Sequence, residues 1–203
     1  MTFIHAYLPG SKGSGTSLLL LHGTGGDETS LAKVGREVAP RSSILGVRGK
    51  VREGPHNRFF RREQDGSFDM ADLVFRANEL ADFVERAKKD YDLRRLVAVG
   101  YSNGANMASA ILLLRPRTLD GAVIFRGTQP IAPKSLPDLS SKRVLICSGR
   151  NDALVQAESA KALASLLREA GADVTVRWLE AGHELAGRDV QIAKEWLAEK
   201  FPG

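Results

Sequence analysis

Leu96-Val97-Ala98-Val99-Gly100-Tyr101-Ser102-Asn103-Gly104-Ala105-Asn106 decides how this chain is read. The apolar run from Leu96 to Val99 suits a parallel strand buried on both faces. Asn103 to Leu114 is apolar nearly all round, ends before Pro116, and reads as a buried helix. Between the two lies Gly-Tyr-Ser-Asn-Gly, a G-x-S-x-G sequence in the strand-turn-helix context of a nucleophile elbow. In such a turn the serine backbone is strained, and the residues two before and two after it approach so closely that side chains would clash. The following helix aims its N-terminal N–H groups at the serine, where they favour developing negative charge. The bare pattern arises often by chance, and a glycine-rich turn without chemistry is the competing reading. With both flanks correct, Ser102 is the candidate nucleophile.

Further apolar runs lie on either side. Ser17 to Leu21, Gly121 to Phe125 and Val144 to Cys147 read as buried strands. Phe3 to Leu8, Ser43 to Val47 and Val174 to Leu179 are further candidates. Met70, Leu73, Val74, Ala77, Leu80, Ala81, Val84 and Ala87 follow a helical period and predict a helix over 69–90. Ser159 to Ala170 is amphipathic and stops at Gly171, and Leu185 to Lys200 reads as a C-terminal helix with Trp196 and Leu197 on its apolar side. Strands alternating with helices predict an α/β fold, a mostly parallel central sheet with helices on both faces. The length of 203 residues suits a single domain, 1–203. Residues 126–142, between two strands, leave no room for a helical cap domain. Ligands of such sheets bind beyond the carboxyl ends of the strands.

The residues after each strand therefore matter most. Serine needs a base, and of the four histidines only His183 follows Ser102 in the chain. It stands after the Val174–Leu179 strand, and the elbow's partners follow in the order Ser, acid, His. The acid falls after Val144–Ser148, in Gly149-Arg150-Asn151-Asp152. Asp152 there would hold the imidazole tautomer; the alternative is a plain helix cap. After Leu18–Leu21 comes His22-Gly23-Thr24-Gly25-Gly26-Asp27, a glycine-rich loop able to turn a backbone N–H toward the serine. The N–H of Asn103 is the second candidate donor. The loop lacks G-K-[ST] and G-x-G-x-x-G, which argues against a phosphate-binding loop. His22 is expected to bond loop backbone.

Composition narrows the class. The hydrophobic fraction is 43% and the charged fraction 26%, values of an ordinary globular protein. Met1 to Gly10 carries no signal-like pattern, and Leu18 to Leu21 is far too short for a membrane span, so a cytoplasmic protein without integral membrane association is expected. The single cysteine, Cys147, sits inside a strand and reads as a core residue. The net charge is +5, and residues 48–62 alone hold Arg48, Lys50, Arg52, Arg58, Arg61 and Arg62 against Glu53. No nucleic-acid motif accompanies this stretch. It is either a structural loop or one that attracts an anionic substrate. Phe59 and Phe60 in it are candidates for an apolar wall, with Arg58 the first choice for a substrate contact. The alternative is that both rings pack the loop onto the body.

Four stretches carry a family resemblance: Leu21 to Glu28, Gly100 to Asn106, Gly149 to Asp152, and Gly182-His183. Together they resemble the small, capless carboxylesterase/phospholipase and acyl-protein-thioesterase branch of the α/β-hydrolases, over residues 21–183. Arg58-Phe59-Phe60-Arg61-Arg62 resembles a loop of bacterial carboxylesterases, and in that resemblance the oxyanion residue falls on Thr24. The acyl-protein thioesterases favour Gly-Phe-Ser-Gln-Gly, from which this chain departs. Dienelactone hydrolases carry a cysteine nucleophile where this chain has Ser102. The resemblance implies a cofactor-free, metal-free serine hydrolase, monomer or homodimer, acting on small esters of short to medium acyl chain. The implied residues are the triad Ser102, Asp152 and His183, the oxyanion donors Thr24 and Asn103, and substrate contacts at Gly25, Arg58, Phe59, Phe60 and Tyr101. Thioesterase or lysophospholipase activity is the alternative, and a non-catalytic ligand-binding protein on the same fold a remote one.

Overall fold

The apolar runs pair side by side into one sheet. The computed structural model describes residues 2–202. Along the chain come β1 (His5–Leu8), β2 (Ser17–Leu21), α1 (Ala32–Val38), β3 (Ser43–Val47), β4 (Val51–Glu53), β5 (His56–Arg58) and α2 (Met70–Asp90). Then follow β6 (Leu96–Tyr101), α3 (Asn103–Leu114), β7 (Gly121–Phe125), β8 (Arg143–Gly149), α4 (Ala157–Glu169), β9 (Asp173–Leu179) and α5 (Gly187–Lys200). Seven strands pair in the order β1-β3-β2-β6-β7-β8-β9, and β4 with β5 forms a separate hairpin. Only β1 runs antiparallel in the large sheet.

Side chains alternate across the sheet and fill two cores. Leu19, Leu21, Leu96, Ala98, Ala122, Ile124, Val144 and Ile146 face α2, α3 and α4. Leu18, Leu20, Val97, Val99, Val123, Phe125, Leu145 and Cys147 face α1 and α5. Because both faces are covered, the central strands are apolar throughout rather than every second residue.

The register aligns the carboxyl ends. Leu21 pairs with Gly100, Tyr101 with Phe125, Phe125 with Cys147, and Gly149 with Leu179. The chain leaves β2 toward β3 on one side, and β6 toward β7 on the other. The crevice of an open α/β sheet forms where that direction reverses, here between the ends of β2 and β6.

Several elements differ from the sequence reading. The helix of α2 starts after its cap Asp69, whose Oδ1 accepts the Asp72 N–H at 2.9 Å. Its expected apolar face is shorter at the N-terminal end, where Met70 and Val74 are exposed. α1, with seven residues and a central Gly35, has too few turns to show a period. Apart from the buried Val51, the β4–β5 hairpin is made of charged and polar residues around a Gly54-Pro55 turn, and residues 48–62 are thus partly strand. β7 and β8 are joined without a helix, so no cap covers the strand ends. No described helix is long and apolar enough to cross a membrane.

Phe59 and Phe60 belong to the larger core, at 2% and 0% exposure. Neither offers a ring to a groove, and the expected apolar wall is corrected to a packing role. Phe60 meets Phe68 edge to face at 5.0 Å. Phe60→Ala should therefore lower the unfolding free energy by about 3–5 kcal/mol, the range for a buried Phe truncation. Urea unfolding measures this, and a loss below about 1 kcal/mol would put the ring outside the core.

Candidate active site

Ser102 stands at the turn between β6 and α3 with φ 52° and ψ −112°. This is left-handed backbone at a residue other than glycine, a strain of about 1–3 kcal/mol. The glycines on either side make the turn possible. A Cβ on Gly104 would overlap the Leu21 carbonyl, and one on Gly100 would lie 2.6 Å from the Gly104 carbonyl. The Phe125 carbonyl accepts the Ser102 N–H at 2.9 Å.

His183 and Asp152 lie within reach. His183 Nε2 is 2.9 Å from Ser102 Oγ, and His183 Nδ1 is 2.9 Å from Asp152 Oδ2. A carboxylate only accepts, so the ring proton sits on Nδ1 and leaves Nε2 to take the serine O–H. Asp152 has both oxygens in use. Oδ1 accepts the N–H groups of Leu154 and Val155 at 2.8 and 2.9 Å, and Oδ2 is left for the histidine. The two N–H groups belong to the loop before α4, whose cap position is Gln156, so the helix-cap reading of Asp152 is corrected to a loop-fastening one, and the acid reading keeps the other oxygen. The side chain is 1% exposed, which fixes the carboxylate's position.

The glycine-rich loop after β2 closes the other side. Among the described residues the N–H groups of Thr24 and Asn103 have no protein acceptor. The Gly25 N–H does have one, the Asn57 carbonyl at 2.9 Å, so Gly25 cannot donate it to a ligand. The left-handed φ of Gly25, 86°, is the reason glycine stands there. His22 clamps the loop. The Gly49 N–H can only donate, so His22 Nε2 accepts it at 3.0 Å and Nδ1–H faces the Gly23 carbonyl at 2.6 Å. Burial pushes the His22 pKa down and keeps the ring neutral. Asn103 extends the clamp, since its Oδ1 accepts the Phe59 N–H at 2.7 Å.

Residues 63–200 match the Dienelactone hydrolase family. The hydrolase MhqD of Bacillus subtilis is 41% identical over 197 residues, covering 96% of this chain and 98% of that one. A Bacillus cereus carboxylesterase structure superposes with TM-score 0.94 at 41% identity, covering 98% of this chain and 95% of that one. YahD, solved with malic acid, gives TM-score 0.92 at 31% identity over 98% of this chain and 100% of its own.

The chain belongs to the dienelactone hydrolase family.

It is a carboxylesterase-type hydrolase on a small α/β-hydrolase fold. In this member of the dienelactone hydrolase family the elbow position holds Ser102, and the one cysteine lies elsewhere. Cys147 is buried in β8, and burial pushes its thiol up to about 12, which leaves no thiolate for attack. Among the described residues no group of three His, Cys, Asp or Glu side chains gathers to hold a metal ion. An apolar cavity of about 270 Å³, lined by Val38, Leu197 and Phe201, lies at the opposite end of the sheet from Ser102.

Three cations of the basic stretch meet carboxylates distant in the chain. Arg48 meets Glu28 in a two-pronged pair at 2.6 and 2.9 Å, and Lys50 meets Glu79 at 2.6 Å. Arg61 lies 3.9 Å from Asp72. Arg58 is paired with Glu53 at 2.8 Å, and its side chain is 7% exposed. The expected substrate contact at Arg58 is thus corrected, because its charge is spent inside the hairpin. Among the described residues Arg52 and Arg62 have no carboxylate within salt-bridge distance of the guanidinium. Tyr101, also expected to touch substrate, donates its O–H to the His183 carbonyl at 3.1 Å, and its ring lies against Gly23.

The His22 clamp has a measurable consequence. Its native pKa lies below 6.5, so the unfolded chain takes up the proton first as pH falls. Its contribution to stability is complete above 6.5 and is lost as pH falls from there toward the lowered native value. Urea unfolding from neutral pH to about 5 should show a smaller loss of stability in His22→Gln than in the parent protein. Equal losses would assign the acid sensitivity to other groups.

Proposed function

We propose that the protein hydrolyses small carboxylic esters through an acyl-enzyme on Ser102. The observation that carries this is the chain of two 2.9 Å hydrogen bonds, Ser102 to His183 to Asp152, at the aligned carboxyl ends of the sheet. His183 Nε2 takes the serine proton as Oγ attacks the ester carbonyl. Asp152 stabilises the imidazolium that forms. The unpartnered N–H groups of Thr24 and Asn103 hold the oxyanion, helped by the N-terminus of α3. His183 then returns its proton to the leaving alcohol. Water repeats the attack on the acyl-enzyme, and a carboxylic acid leaves.

Two features support the choice of substrate. The site has no helical cap, which favours short to medium acyl chains that need little enclosure. Arg52 and Arg62 line a polar recess of about 530 Å³ with Lys50, Arg61 and Arg76. Arg52 is joined to the oxyanion loop through Asn57, whose Oδ1 accepts from Arg52 and whose Nδ2 donates to the Gly26 carbonyl. An ester bearing a free carboxylate suits this surplus of positive charge. The malic acid in YahD is itself a dicarboxylic acid.

Ser102→Ala should abolish turnover and leave the unfolding midpoint near that of the parent. Asp152→Asn should lower the rate by up to roughly 10⁴-fold, by the serine-protease precedent. Undiminished activity in either variant contradicts the mechanism. For substrate choice, a half-ester of a dicarboxylic acid should be cleaved about 5-fold faster than its methyl-capped twin, the effect of one screened charge pair. Added salt and Arg52→Ala should each narrow the gap. Equal rates for the two esters in the parent protein would show the basic hairpin to be structural only.

A further inference from the structure

His183 lies in a loop without regular structure between β9 and α5, yet four consecutive carbonyls of that loop are held. The Ala181 carbonyl accepts the Asn151 N–H at 3.1 Å. The Gly182 carbonyl accepts Arg126 Nε–H at 2.9 Å, and the Glu184 carbonyl accepts from Arg126 Nη2 at 3.1 Å. The His183 carbonyl accepts the Tyr101 O–H. One guanidinium thus grips the peptide groups on both sides of the histidine.

Arg126 is placed to do this by the fold. It is the residue after β7, and the residue before it, Phe125, binds the Ser102 N–H. Arg126 itself has φ 54°, left-handed backbone that a non-glycine residue keeps only when its surroundings hold it there. Asp189, in the first turn of α5, supplies the counter-charge. Arg126 Nη1 and Nη2 meet Asp189 Oδ1 and Oδ2 at 2.8 Å each, with both side chains 0% exposed. Nη1 also donates to the Cys147 carbonyl at 3.2 Å. All five guanidinium N–H groups are satisfied. Asp189 Oδ2 further accepts the Ala186 N–H at 2.9 Å, so the carboxylate ends the histidine loop and begins the helix.

A buried ion pair is a poor choice for stability alone. Desolvation offsets most of its attraction, and an apolar pair of similar volume often serves as well or better. Lysine could neutralise Asp189 but could not reach two carbonyls in a fixed fork. The feature that arginine uniquely supplies here is the simultaneous hold on Gly182 and Glu184.

We propose that Arg126, locked by Asp189, is a positioning residue for His183: it holds the histidine loop so that Nδ1 faces Asp152 while Nε2 faces Ser102. It touches neither Ser102 Oγ nor the His183 ring and acts through the loop backbone. The inference rests on the acyl-enzyme reading above.

The test uses a double variant, Arg126→Met with Asp189→Leu, which removes both charges together and so leaves no unpaired ion in the core. Arg126→Lys is the second variant, retaining charge while losing the fork. A burst of nitrophenolate from a nitrophenyl ester in the parent protein, equal to the enzyme concentration, checks the acyl-enzyme reading by itself. Its absence with an ester whose acylation outruns deacylation would overturn that reading and not the positioning argument alone. With the burst present, the double variant should keep a cooperative unfolding transition and an unchanged KM while kcat falls about 10²-fold, the penalty of an ångström-scale misplacement. Arg126→Lys should fold and fall between the two. Parent-like kcat in a folded double variant, or in Arg126→Lys should the double variant fail to fold, would overturn the proposal and leave the ion pair a structural feature.

Discussion

The close approach of Gly104 to the Leu21 carbonyl is the constraint on which the rest of the site depends. No side chain fits there, so α3 can leave β6 directly over the end of β2. That contact forces Ser102 into left-handed backbone and lays the glycine-rich loop after β2 beside it. The strain is held by what packs around the turn. α3 is buried along nearly its whole length, its Asn106 Oδ1 accepts the Thr128 N–H at 2.8 Å, and the Ser102 carbonyl accepts the Asn106 N–H at 3.0 Å. A strained residue persists where its neighbours over-determine it, and these contacts do so.

With the turn fixed, the remaining groups are brought in by register. Level strand ends put Asp152 after β8 and His183 after β9 on the same edge as Ser102. The loops then carry the precision. Asp152 is set by its two backbone N–H donors, and the glycine-rich loop by His22, by the Glu28–Arg48 pair and by Asn57. The stretch rich in cations is thereby a collar for the glycine-rich loop. Three of its six positive charges meet Glu28, Glu79 and Asp72, which lie outside it in the chain, and a fourth meets Glu53 within it.

Much of this was legible in the sequence because it is local. The buried strands are continuous apolar runs, the elbow is five residues with glycines at fixed offsets, and Asp152 and His183 stand in the short loops after the strands that end at Gly149 and Leu179. The features that escaped are those made by residues far apart. Counting charge along residues 48–62 could not show that Arg48 or Lys50 would meet acids 20 and 29 positions away. Phe59 and Phe60 looked available because nothing local reveals which way a loop ring turns. Arg126 escaped for the same reason, its partner Asp189 being 63 positions on. The one signal for it was its place directly after a buried strand, the same signal that marked Ser102.

The central claim is that Ser102 becomes covalently acylated. Rapid quenching of the protein with a short-chain nitrophenyl ester, followed by peptide mass mapping, tests it most directly. The expected result is the mass of one acyl group on the peptide containing Ser102 when the native protein meets the ester, and none when the protein is unfolded before the ester is added. An adduct on another residue, or turnover with no adduct under conditions where acylation outruns deacylation, would contradict it.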